Sequence, residues 1–299
     1  SVDVWKEVMN SLSEGFEIGD SIYVYYYYDG EVSEENKKIV YDSGVITDIE
    51  TDSEDKDKVI SLTLDTDDQT ITIDKDDVYY KEISKTIYDQ AITDIEALDF
   101  FTNEIILEKE NGKYYVTLKG EDSKIDLGAI SKGYATQKVN DYIISQNINY
   151  YSMSSGTSSI IVGENKNREE EDYVYYISLA NPYKLESLDK DTYGTVKVKN
   201  TSVTTSGNYE QYVLYQGDRY HHIVSPFEKM PVQYYHTVTI LGQDAGLLDA
   251  LSTALFSMSP EVMDAWLMDN QEDLGIEVIR FNQDLTIDSF MIDTTFEEH

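Results

Sequence analysis

The chain has 299 residues, 40% of them hydrophobic, enough apolar material for a sizeable core in one large or two ordinary domains. Its 58 acidic against 23 basic residues leave a formal charge of −35, a surface that repels nucleic-acid backbones and anionic lipid. Cysteine is absent, which excludes disulfide staples, thiolate metal sites and cysteine nucleophiles. No apolar run approaches the length of a membrane span. Ser1 stands where methionine would start a chain, so we expect a processed protein that has lost an export signal. It would work outside the cytoplasm, as a lipoprotein whose anchor segment has been removed.

The first elements are a short helix and then strands. Val4, Trp5, Val8, Met9 and Leu12 recur at helical spacing. From Phe16 to Ile83 the texture changes to alternating β-branched and tyrosine residues. Strands are predicted over 21–28, 44–49, 59–64, 70–73 and 78–81, separated by acidic turns. Five short strands in so little chain suggest a small SH3-like β-barrel over 16–84. The aromatic run Tyr25 to Tyr28 is either barrel packing or a binding surface.

Past residue 85 helices and strands mix without regular βαβ alternation, so the fold class is α+β. A helix over 88–98 precedes strands at 104–108 and 113–119, and a second helix covers 132–144. Strands follow at 150–153, 160–162, 173–179, 196–199, 202–204 and 212–215, with a hairpin turn at Gly217-Asp218. After a strand at 237–241, Asp244 is placed to cap a helix over 245–258, and Pro260 opens another. Strands at 276–280 and 285–291 end the pattern.

Two stretches carry chemistry. The first, Ile125 to Ala135, puts Gly128, Ala129, Ser131, Lys132 and Gly133 between a strand and a helix. Such a turn aims backbone N–H groups and one ammonium at the start of a helix, where phosphate is favoured. It has neither Walker nor dinucleotide spacing, and by itself it reads equally as a packing corner. The second is Asp249 with Thr253, at i and i+4 on one helix face among apolar neighbours. A carboxylate buried there needs a partner; either a turn N–H or a divalent cation held by oxygen ligands supplies one.

Weaker signals surround these. Thr204-Thr205-Ser206-Gly207-Asn208-Tyr209 offers hydroxyls on a glycine-containing turn, and so does Ser154-Ser155-Gly156-Thr157-Ser158-Ser159. His222 ends a strand before Pro226; adjacent His221 would point to the opposite face, so the two do not chelate. No GxSxG elbow and no HExxH motif is present.

Taken in order, these segments resemble the ApbE family of flavin transferases. The likeness runs through Asp126 to Ala135, Ser155-Gly156-Thr157-Ser158, Thr204 to Tyr209, His222-Ile223-Val224-Ser225-Pro226 and Asp249 to Leu255. It implies a Mg2+-dependent transfer of FMN from FAD to a threonine hydroxyl of an acceptor protein, with release of AMP. It places the metal on Asp249, Thr253 and the Ala129 carbonyl, and makes Lys132 and His222 catalytic. Lys132, Ser155, Gly156, Thr157, Thr205, Ser206, Gly207 and His222 would contact the flavin nucleotide. Residues 1–12 and 86–293 would form the ApbE-like domain, with 16–84 inserted. The family usually has Asp where Asn208 stands and an acidic residue where Ser225 stands. The alternatives are an FAD-binding or FAD-hydrolysing protein without transfer, and an interaction protein working through the tyrosine-rich barrel.

Overall fold

In the computed structural model the described residues are 4–5, 8–9, 16–27, 39–53, 55, 58–67, 69–74, 78–97, 105–119, 124–156, 158–182, 191–209, 211–225 and 227–299. The chain divides into two compact units, residues 1–97 with 211–222, and residues 98–210 with 223–299. Among the described residues no helix is long and apolar enough to cross a membrane.

The first unit is built on β1 (Ser21–Tyr27), β2 (Ile39–Thr51), β3 (Val59–Thr66), β4 (Thr70–Asp74) and β5 (Val78–Lys81). They form one antiparallel sheet in the order β4-β3-β2-β1-β5. The five strands are those expected from sequence. Among the described residues no ladder joins the edge strands β4 and β5, so a closed barrel is not seen. Period-two alternation puts Ile22, Ile46, Leu62, Leu64 and Ile73 together on one buried face. The side chains of Tyr25 to Tyr28 lie outside the described residues.

Helix α1 (Lys85–Ala97) buries Ala91 and Ile95, one turn apart. The hairpin of β13 (Tyr212–Tyr215) and β14 (Asp218–His221) belongs to the same unit. Gln216 and Gly217 both have positive φ, 52° and 85°, as a two-residue hairpin turn demands. Aromatic rings knit these pieces: Tyr88 stacks on Tyr215 at 4.1 Å between centroids, and the fully buried Trp5 stacks on Tyr220 at 5.1 Å.

The second unit centres on an antiparallel six-stranded sheet. Its strands are β8 (Ser152–Ser155), β9 (Ser159–Val162), β12 (Thr201–Gly207), β15 (Tyr235–Gly242), β16 (Glu277–Asn282) and β17 (Ile287–Phe290). They run in the order β17-β16-β15-β12-β9-β8. Every residue of β15 is buried, because both of its faces are covered. Val238 and Ile240 face helices α3 (Ala245–Phe256) and α4 (Pro260–Leu274), packing with Leu248, Leu255, Phe256, Met263 and Leu267. Leu241 turns the other way, into a second core with β10 (Tyr175–Ala180) and β11 (Thr192–Val198). The layers are helices, sheet and a smaller sheet, a mixed α+β arrangement as expected.

A hairpin, a helix and an edge strand also belong to this unit. The hairpin of β6 (Ile105–Glu110) and β7 (Lys113–Leu118) turns on Asn111-Gly112, and helix α2 (Ser131–Ser145) packs against α3. An edge strand not foreseen from sequence, β18 (Thr295–Glu298), pairs with β11. Its polar run Thr-Phe-Glu-Glu carries one apolar side chain, Phe296, which lies over Gly194 where a Cβ would sit 2.3 Å from the ring. Buried Glu277 anchors the approach to β18: one of its oxygens accepts the N–H groups of Ile292, Asp293 and Thr294. Burial alone would raise the Glu277 carboxyl, but these donors prevail and hold it below the ordinary carboxylate range.

Candidate phosphate and metal site

The site grows from the approach of α2 to α3. Before α2 the chain makes a side-chain-closed turn, with the Gly128 N–H donating to Asp126 Oδ1 at 2.6 Å. The N–H groups of Ile130 and Ser131 both reach the Leu127 carbonyl. Ile130 occupies the cap position and has no side-chain acceptor to offer, so the first helical turn keeps donors for partners elsewhere.

Asp249 is one such partner. It is 5% exposed, and its Oδ2 accepts the Gly133 N–H at 2.7 Å. Only glycine permits this contact: a Cβ at residue 133 would lie 2.2 Å from the Ala245 carbonyl oxygen and 2.4 Å from Asp249 Cβ. The helices are further tied by Gln137, whose Oε1 accepts the Ala245 N–H at 2.9 Å. Asp244 caps α3, as the sequence predicts, by accepting from the N–H groups of Gly246 and Leu247.

One turn along α3 from Asp249 is Thr253, and hydroxyls gather between this helix and β12. Ser206 Oγ lies 2.8 Å from Ser252 Oγ and 3.4 Å from Thr253 Oγ1. Ser252 in turn donates to the Asp249 carbonyl at 3.0 Å. Among the described residues Asp249 Oδ1 accepts no hydrogen bond. The donor set is one carboxylate with neutral oxygens, and no group of three or more His, Asp or Glu side chains gathers among the described residues. Hard oxygen ligands of this kind fit Mg2+ and do not fit a soft transition metal.

Lys132 is exposed on the first turn of α2, and its Nζ donates to Ser158 Oγ at 2.5 Å. That contact brings the turn between β8 and β9 beside the turn before α2. Ser155 ends β8, and Gly156 has φ +68° with open space where a Cβ would be, so its backbone conformation rather than crowding calls for glycine. Thr157 lies outside the described residues.

Strand alternation divides the third motif. Ser206 points to α3, whereas Thr205 points to the opposite face, 2.8 Å from Thr239 Oγ1, into a cavity of about 80 Å3 lined also by Tyr193 and Tyr209. The Tyr209 ring covers Gly207, with Cε1 2.6 Å from where a Cβ would stand. Asn208 is buried against His236, Nδ2 to Nδ1 at 3.3 Å. Ala129 sits exposed in the turn before α2. His222 belongs to the first unit, where its Nδ1 lies 3.3 Å from the Gln211 carbonyl; His221 beside it is fully buried, the opposite-face arrangement expected. Gln137 went unnoticed in the sequence, and Ser252 and Ser158 lay inside the motif segments without a role of their own. The i+3 spacing of Ser252 from Asp249 was a usable signal for that serine; long-range pairing alone reveals the other two.

Residues 71–279 match the ApbE family. The chain belongs to the ApbE family. It is 28% identical over 187 residues to the FAD:protein FMN transferase of Klebsiella pneumoniae (strain 342), covering 62% of this chain and 54% of that protein. To the FAD:protein FMN transferase of Vibrio cholerae (strain O395) it is 29% identical over 174 residues, 58% of this chain and 46% of that one. The crystal structure of the ApbE protein from Thermotoga maritima superposes with a TM-score of 0.52 at 28% identity, covering 62% of this chain and 56% of that one. The chain thus spans about half the length of the curated relatives it matches. In this ApbE chain the second unit holds four of the five motif segments, and the contacts of Gly133 with Asp249 and of Lys132 with Ser158 join three of them.

Proposed function

We propose that the protein is an FAD:protein FMN transferase, moving FMN from FAD to a threonine hydroxyl of an acceptor protein and releasing AMP. The observation that carries this reading is the α2–α3 junction, where Asp249 keeps one oxygen on the Gly133 N–H and the other, among the described residues, without a donor, a turn away from Thr253. Asp249, Thr253 and the Ala129 carbonyl would hold Mg2+, which when bound neutralises charge on the transferring phosphoryl group. Lys132 offers an ammonium to a pyrophosphate oxygen, in a chain with only 23 basic residues. Ser155, Gly156, Thr157, Thr205, Ser206 and Gly207 would contact the flavin nucleotide in this reading, Ser206 through its hydroxyl and Thr205, whose hydroxyl faces the opposite core, through its backbone. His222 takes the proton of the acceptor hydroxyl as its oxygen bonds to the FMN phosphorus; the bond from that phosphorus to the AMP oxygen breaks, and AMP leaves with the electron pair.

Residues 1–12 and 86–293 would make up the transferase domain in this reading, with 16–84 an inserted SH3-like barrel. The protein would act outside the cytoplasm as an anchored lipoprotein. Incubation with FAD, Mg2+ and an acceptor carrying a threonine target tests it. A fluorescent acceptor adduct and stoichiometric AMP are expected, and His222→Ala should depress turnover more than FAD affinity. AMP without adduct would mean FAD hydrolysis, and FAD binding without turnover a flavin-binding protein. Absence of FAD binding would point to an interaction protein using the tyrosine-rich sheet.

A further inference from the structure

A second cavity, of about 250 Å3, opens at the other end of α2, between the end of that helix, β9 and the β11–β12 turn. Ile144 stands 12 residues beyond Lys132, so at 1.5 Å rise per residue the two are about 18 Å apart along the helix. The transferase reading assigns nothing here. Four carboxamides line the cavity, those of Asn140, Asn149, Asn200 and Gln243, and no charged side chain does. In a chain of net charge −35 that neutrality is itself selective. Ile144, in the last turn of α2, and Ile148, just beyond the end of that helix, supply aliphatic surface.

The polar groups are held ready. Asn140 is 6% exposed, and its Oδ1 accepts the Tyr151 hydroxyl at 2.6 Å. Burial raises the Tyr151 phenol, so the hydroxyl stays a donor at neutral pH. Among the described residues the amide end of Asn140 makes no hydrogen bond, which leaves it able to donate to something entering the cavity. Asn200 is fixed by the hairpin turn at φ +50°, with its N–H on the Gly163 carbonyl, and Gln243 Nε2 donates to the Asn200 carbonyl at 3.0 Å.

We propose that this cavity binds an uncharged planar heterocycle of nucleobase type, edge-on to the carboxamides and flat against the isoleucines. Carboxamides present a donor and an acceptor side by side, which matches the paired donor and acceptor on a base edge. The volume is somewhat below the roughly 300–1,000 Å3 of drug-sized pockets, room for one ring system rather than a dinucleotide. This site is independent of the transferase reading.

The test is titration of the full chain, labelled at isoleucine δ1 methyls, with adenosine and separately with glucose. Saturable shifts of Ile144, Ile148 and Ile161 with adenosine are expected, and none with glucose. Gln243→Ala, an exposed change that spares the fold, should weaken adenosine binding about tenfold, the size of one lost amide–base pair. Three outcomes would overturn the proposal. They are no shift of the three methyls, an equal response to glucose, and an adenosine response confined to Ile130, which reports the Lys132 turn.

Discussion

The two units cohere by different means. In the first, a row of inward Ile and Leu residues closes one face of the five-stranded sheet, and Trp5, Tyr88, Tyr215 and Tyr220 stack beside it. Nothing in those contacts requires one arrangement of charge; they reward burial, which is non-directional. In the second, an equally apolar core coexists with a seam of polar contacts at Gly133, Asp249, Ser206 and Ser252. Directional bonds and a backbone approach that only glycine allows hold that seam. A seam that places a carboxylate is stabilised by geometry, whereas the apolar face of the first sheet needs only volume and area.

Four measurements would break or sharpen this contrast. The largest effect is expected from Asp249→Asn. The amide oxygen can still accept the Gly133 N–H, so the urea midpoint should hardly move, while Mg2+-dependent transfer falls roughly a thousandfold through loss of the anionic ligand. Retained turnover would refute the metal assignment.

Next is Leu62→Ala in the first unit, where removing a fully buried side chain should cost about 2–5 kcal/mol. The chain has two tryptophans, Trp5 in the first unit and Trp266 in the second, so single-tryptophan variants report each unit separately. Trp5 fluorescence should register the loss and Trp266 should not; equal shifts in both would dissolve the comparison.

Gly133→Ala is expected to cost about 1–3 kcal/mol by overpacking, seen through Trp266, and to weaken Mg2+ dependence because the helices must part. An unchanged midpoint would mean that α2 and α3 separate at little cost.

The smallest effect concerns pH. The Glu277 carboxyl is lowered in the folded state from an ordinary value of 4.5, so its contribution is present above that pH and is lost as pH falls through the folded value. Wild type should lose more stability than Glu277→Gln between pH 7 and pH 3.5, roughly 1 kcal/mol by urea denaturation. Parallel losses would show that the three N–H donors contribute nothing specific to the anion.

Much of the architecture was legible in the chain itself. Alternation located the five strands of the first sheet, Asp244 announced the start of α3, and the hairpin turn read at Gly217-Asp218 lies within one residue of the observed Gln216-Gly217, because each depends on neighbours in sequence. Less was legible where partners are distant. Phe296 in an otherwise polar tail gave no sign of β18 until Gly194 provided the space beneath its ring. A lone Thr-Thr-Ser run could not say that Ser206 would face α3 and Thr205 the opposite core; register against β15 decided that.

For the site, the sequence by itself determined the parts: a glycine-bearing turn before a helix, and a carboxylate and a hydroxyl one helical turn apart. Tertiary structure decided that they meet. Gly133 looked like one of several turn glycines, yet its missing side chain is what lets α2 lie on α3 closely enough for a backbone N–H to reach Asp249. Local propensity is written in neighbouring residues. The fit of one helix into another, 116 positions away, exists only once the chain has folded.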